Sequence, residues 1–152
     1  MVYISRISGA FGDWEVRATE TGVTAVTNRT SFVAGRENHI SRKAAEELER
    51  YFSGTGTTFS VPFDLDGTLF QKSVWAALTK IPYGSHVCYS DVARSVGRPT
   101  AVRATAQAIG KNPCLVLIPC HRVLGKDGSL TGFSAGLALK KRLLELEGIL
   151  CR

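Results

Sequence analysis

The 152-residue chain has little of what marks several common protein classes. No apolar run approaches the roughly 20 residues of a membrane-spanning helix. The opening Met1-Val2-Tyr3-Ile4-Ser5-Arg6 lacks the basic start and long apolar segment of a secretory signal, so a cytoplasmic location, nucleoid-associated in a prokaryote, is expected and no membrane partner. Only four cysteines occur, Cys88, Cys114, Cys120 and Cys151, with no CxxC pair; neither a disulfide framework nor a zinc site fits that spacing. Acidic residues are scarce in one half. Residues 72–152 hold four Asp/Glu against twelve Lys/Arg, whereas residues 1–71 hold nine against seven. The basic half suits a polyanion, most simply nucleic acid, or is a basic solvated face.

What is present is the composition of a soluble globular chain, 44% hydrophobic and 21% charged, long enough for one domain or two small ones. Val2–Ile4, Trp14–Val16 and Val23–Val26 read as short strands, with turns at Gly9-Ala10 and Thr21-Gly22, which predicts an antiparallel meander. Ser41 reads as the N-cap of a helix with the stripe Ala44, Ala45, Leu48, Tyr51 and Phe52; His39 falls in the loop before it and is expected to be solvated. Gly54–Thr58 is the best linker candidate, and a boundary is placed between domains 1–62 and 63–152.

In the second half, Thr68-Leu69-Phe70-Gln71 fits a capping box that opens a helix to about Lys80. Short helices over about Ser90–Val96 and Thr100–Gly110, separated by Gly97-Arg98-Pro99, resemble a helix-turn-helix. The second carries Ala101, Ala104, Thr105 and Ala108 around Arg103. A major-groove reader needs long polar side chains. Small residues suit close approach to a minor groove, with Arg103 entering the stack, or else simple packing in a core. Val123–Leu130 reads as a hairpin that serves as a wing, and the last helix, Gly136 to Glu147, is expected to turn Leu139, Leu143 and Leu146 inward.

The stretch Ile118-Pro119-Cys120-His121-Arg122-Val123 ends an apolar run, Leu115–Ile118, that reads as a buried strand. The thiolate is the nucleophilic form of cysteine, and adjacent His121 and the cationic Arg122 two residues on are neighbours of the kind that lower a thiol pKa. Taken alone, a Cys-His pair is also compatible with an inert buried thiol.

Pro119-Cys120-His121-Arg122-Val123 resembles the active-site signature of the O6-alkylguanine-DNA alkyltransferases. The likeness extends over about residues 48–148: Tyr51-Phe52-x-Gly54, Phe59, Pro62, Gly67-Thr68-x-Phe70-Gln71-x-x-Val74-Trp75, Ile81-Pro82-Tyr83-Gly84, Tyr89, Asn112-Pro113 and Leu144-x-x-Glu147-Gly148. It implies an α+β protein: a small antiparallel sheet and helix, then a mainly helical winged helix-turn-helix domain that holds the cysteine. It implies direct-reversal repair, with O6-alkylguanine, and O4-alkylthymine, flipped from duplex DNA by a monomer and the alkyl group moved once to Cys120. The resemblance assigns His121 as base, Glu147 as its orienter, Tyr89 as proton donor and DNA contact, and Asn112 as the brace of the turn before the cysteine segment. It places Arg103, with Ala104, Thr100 and Arg98, on DNA, and Val123, Ser134, Phe133, Ala135, Pro119 and Ile109 around the base.

The chain departs from the family pattern at Thr105-Ala106-Gln107, where a glycine pair is common, and at Phe133 and Ala135, where Tyr and Gly are frequent. Some members bind zinc through N-terminal cysteines; residues 1–87 contain none, so neither a metal nor a cofactor is expected. The competing readings are an alkyltransferase-like lesion sensor, against which Cys120 argues, a winged-helix regulator, and a cysteine hydrolase.

Overall fold

The computed structural model describes residues 1–31 and 33–149; Cys151 lies outside them. The chain is α+β and packs as two compact units. The first is Met1–Asp66 with Pro113–Leu117; the second is Gly67–Asn112 with the described residues from Ile118 on.

The first unit is built on β1 (Tyr3–Gly9), β2 (Gly12–Ala18) and β3 (Val23–Thr27), an antiparallel meander in the order β1-β2-β3. Helix α1 (His39–Phe52) packs against it, burying Ala44, Leu48 and Tyr51; Trp14 and Val16 of β2 are also buried. The cap of α1 is Asn38, not Ser41. Asn38 Oδ1 accepts from Ser41 N at 2.7 Å, and Ser41 Oγ accepts from Asn38 N at 3.0 Å, a reciprocal box that starts the helix three residues early and lets Ile40 join the buried stripe. His39 therefore opens the helix rather than lying in a loop, and is exposed.

The first unit runs past residue 62 because the chain there is still bound to it. Ser60 donates to the Glu47 carboxylate, Val23 N donates to Pro62 O, and Asp64 N donates to Val23 O. Gly22 permits this passage, since a Cβ there would lie 2.5 Å from the Phe63 carbonyl carbon. The apolar run before the cysteine is buried but is not a regular strand: Cys114 forms one bridge to Val26, and Val116 takes a φ of 71°. That left-handed turn in a β-branched residue ends pairing after one bridge. An apolar run predicts burial but leaves the path of its backbone open.

The second unit contains α2 (Leu69–Leu78), β4 (Val87–Cys88), α3 (Tyr89–Ser95), α4 (Val102–Gly110), β5 (Val123–Leu124) and α5 (Leu137–Leu146). Thr68 and Gln71 make the capping box of α2. Trp75 Nε1 donates to Ala108 O at 2.9 Å, joining α2 to α4, and α3 packs against both. The hairpin expected over Val123–Leu130 does not form. Val123–Leu124 instead pairs in parallel with Val87–Cys88, and the turn closes on itself through Gly125 N to Ser129 O. In α5 the inward set also differs: Leu143 and Leu144 are buried, Leu139 and Leu146 half-buried, and Lys140 is fully buried. No helix among the described residues is long and apolar enough to cross a membrane.

Candidate active site

Pro119 leads into a single 3-10 turn, Cys120–Arg122, which ends where β5 begins. All three side chains of the turn are buried. Asn112, just past α4, donates from Nδ2 to Ile118 O at 2.7 Å. It thereby holds the cysteine segment to the end of that helix.

Glu147, at the C-cap of α5, is the hub of the site. His121 Nε2 lies 2.6 Å from its Oε2. Arg122 donates Nε to Oε1 at 2.8 Å and Nη2 to Oε2 at 3.1 Å, and Gly84 N donates to Oε1 at 2.9 Å. Gly84 reaches that position with a φ of 79°, a conformation that costs glycine little. A buried carboxylate with a bidentate guanidinium and a backbone N–H is well satisfied as an anion. The nitrogen facing it must carry the hydrogen when His121 is neutral, so Nδ1 is left as the acceptor. Burial pushes His121 below its usual value despite the Glu147 contact, which opposes the shift, so the neutral ring is the resting form.

Arg122 does not lower the thiol pKa as its sequence position suggested. Its guanidinium is committed to Glu147 and, through Nη1, to Ile81 O at 2.7 Å. Burial raises the Cys120 thiol to about 11, opposed first by the Asn112 side chain, then by the charge of Lys140 and a backbone hydrogen bond. Lys140 was missed because it sits among leucines on a helix and has the pattern of an exposed lysine. Its Nζ donates to Val123 O at 2.6 Å and Thr131 O at 2.7 Å. A lysine counted as solvated in a helical stripe gives no signal until the packing is known.

An open cavity of about 550 Å³ lies in the same unit, lined by Tyr89, Ala106, Ile109, Gly110, Thr131, Gly132, Phe133 and Ser134. Its volume is that of a small-molecule site. Tyr89 donates its hydroxyl to Thr131 O at 3.2 Å, so this carbonyl joins Tyr89 to Lys140. Of the residues expected around a base, Ile109, Phe133 and Ser134 line the cavity. Pro119 and Val123 are buried and Ala135 is half-buried, all outside its lining. Ala106, Gly110, Thr131 and Gly132 were not foreseen; small residues beside a loop carry no chemistry that sequence can read.

The expected DNA contacts are exposed, apart from Tyr89, which is half-buried. Arg98, Thr100, Arg103 and Ala104 are all exposed, whereas Thr105, Ala108 and Ile109 turn α4 into the core. Arg98 also stands over the Phe70 ring, 5.8 Å from its centroid.

Residues 69–149 match the model of the 6-O-methylguanine DNA methyltransferase, DNA-binding domain. The methylated-DNA–protein-cysteine methyltransferase of Methanosarcina barkeri is 51% identical over 106 residues, 70% of this chain and 67% of that one. The inducible enzyme of that name from Bacillus subtilis is 50% identical over 103 residues, 68% of this chain and 58% of its own length. The crystal structure of Mycobacterium tuberculosis OGT in complex with DNA superposes with a TM-score of 0.87 at 36% identity, covering 95% of this chain and 92% of that one. The chain belongs to the 6-O-methylguanine DNA methyltransferase family, the methylated-DNA–protein-cysteine methyltransferases.

Proposed function

We propose that this protein repairs DNA by moving the alkyl group of O6-alkylguanine, and of O4-alkylthymine, onto Cys120, once per molecule. The observation that supports the proposal is the buried His121–Glu147 contact of 2.6 Å, made by the residue that follows Cys120. The arrangement is nucleophile, base and orienter.

The steps balance. His121 Nδ1 takes the thiol proton, directly or through a water. The sulfur attacks the alkyl carbon in line, the S–C bond forms, the C–O6 bond breaks, and its electron pair stays on guanine. Tyr89 supplies the proton that neutralises the departing base and recovers one from solvent. The base reaches the sulfur only outside the stack. The exposed face of α4 lies in the minor groove, and Arg103 fills the vacated position, offsetting part of an unstacking cost of a few kcal/mol. The net charge of +6, with twelve of the nineteen Lys/Arg in residues 72–152, supports backbone-dominated, salt-sensitive binding by a monomer.

The test is incubation with duplex DNA containing methyl-labelled O6-methylguanine, followed by digestion and mass spectrometry. One methyl per chain on Cys120 is expected, and Cys120→Ala should bind the duplex and transfer nothing. Label on Cys88, Cys114 or Cys151, or more than one turnover per chain, refutes the proposal.

A further inference from the structure

The exposed face of α4 is not made of small residues throughout. Gln107 follows Arg103 at i+4, which puts the two on one stripe with Cβ atoms about 5–6 Å apart. Gln107 is exposed, and its side chain makes no hydrogen bond with a described residue. The preceding residue, Ala106, turns the other way and lines the cavity with Ile109 and Gly110. Gln107 therefore stands beside the place where a flipped base would leave the duplex.

Nothing in the fold calls for an amide there. The buried side of α4 is Thr105, Ala108 and Ile109. A neutral side chain also adds nothing to phosphate attraction. What an amide adds is a donor and an acceptor on one planar group. In the minor groove, A·T pairs present only acceptors, while G·C adds the guanine N2 amino donor. An A·T neighbour uses only the donor half of Gln107, and a G·C neighbour can also satisfy Oε1. Four residues of helix rise about 6 Å, a little under two base steps of about 3.4 Å each, so the pairs within reach are the first two beside the lesion, the adjoining one included.

We infer that Gln107 is a specificity-determining residue that favours lesions flanked by G·C, by accepting a hydrogen bond from the minor-groove amino group of the adjoining guanine. The inference rests on the alkyl-transfer reading above, with α4 in the minor groove. One neutral hydrogen bond supplies a preference of about fivefold.

The experiment is single-turnover methyl transfer to the full chain from three duplexes, with O6-methylguanine flanked by G·C, inosine·C or A·T. Inosine lacks only the N2 amino group of guanine. Its weaker pairing eases extrusion, which works against the expected difference. Wild type should act about fivefold faster beside G·C than beside inosine·C, and alike on inosine·C and A·T. In Gln107→Met, which keeps length and loses both polar groups, the G·C to inosine·C ratio should fall to about one or below. Ready transfer with equal wild-type rates beside G·C and inosine·C overturns the inference and leaves the alkyl-transfer reading standing. The same preference retained in Gln107→Met overturns it too. No transfer from any duplex overturns both.

Discussion

Each compact unit buries a glutamate completely, and both carboxylates are satisfied in the same way. Glu15 in the first unit accepts from Arg6 at 3.1 Å, from Arg17 at 2.7 Å and from the backbone N of Ser31 at 3.2 Å. Glu147 in the second accepts from Arg122, His121 and the backbone N of Gly84. The partners differ. The Arg6 and Arg17 side chains are 40% and 36% exposed, so the Glu15 cluster ends in solvent. The His121 and Arg122 side chains are 0% and 7% exposed, so the Glu147 cluster ends inside the protein, at the residue next to Cys120. A buried charge cluster is by itself a structural device. It becomes a relay only when one partner can exchange a proton and that partner faces reactive chemistry.

The largest effect should come from removing the charge in each place. Glu147→Gln leaves a buried guanidinium without its counter-charge and lets the new amide present a hydrogen to His121, favouring the wrong tautomer. Single-turnover transfer should fall about 10²- to 10⁴-fold, the usual contribution of a positioned base, with DNA affinity spared. Glu15→Gln should lower the denaturation midpoint and leave the transfer rate of the folded protein unchanged. Comparable rate losses in both variants would erase the distinction between the clusters.

The two buried cysteines sharpen the comparison at a smaller scale. Burial raises Cys114 to about 12, opposed by the Val26 backbone, whereas Cys120 is held at about 11 with the Asn112 side chain, the charge of Lys140 and a backbone hydrogen bond opposing the rise. Lys140→Met keeps the volume of the helix face and removes the charge. Methyl transfer should slow severalfold, less than the roughly tenfold that one pKa unit of thiolate population would give, because Asn112 opposes the rise more than Lys140 does. The rate should recover as the assay pH is raised, because the thiolate is then supplied by solvent base. Loss of transfer that pH does not restore would mean that Lys140 only tethers the Val123 and Thr131 carbonyls.

What could be read from the sequence divides along the same line. The meander, the α2 capping box and the Cys-His-Arg stretch were visible because periodicity, caps and adjacent residues are local. The roles of Arg122 and Lys140 were not, because both depend on partners far along the chain: Arg122 meets Glu147 across 25 positions, and Lys140 meets Val123 across 17. The hairpin after Val123 was misread for a related reason. Its turn residues are present, but the strand finds a parallel partner, Val87–Cys88, that no local signal announces. The candidate site could be read as a set of residue types; the electrostatics of the thiol could not.

The smallest effect is on stability, and it separates the clusters by pH. His121 has a folded pKa below its ordinary 6.5, set first by burial and assisted by Arg122 and Lys140 against Glu147. The unfolded chain therefore takes up a proton that the folded one refuses. Stability from this group is fully present above pH 6.5 and declines as pH falls below it. Glu15 behaves differently. Burial alone would raise its carboxyl, but the hydrogen bonds from Arg17 and Ser31 outweigh that and hold it below 4.5. Its stabilisation is intact above pH 4.5 and disappears as pH drops through the lower folded value. Denaturant midpoints measured from pH 8 to pH 3 should thus fall in two stages. His121→Asn should remove the decline that starts near pH 6.5 and retain the later one, while Glu15→Gln should do the reverse. A wild-type midpoint that stays flat between pH 6.5 and 5, under conditions where the acid stage below 4.5 is plain, would mean that His121 already carries its proton in the folded protein, and the neutral-base relay would have to be given up.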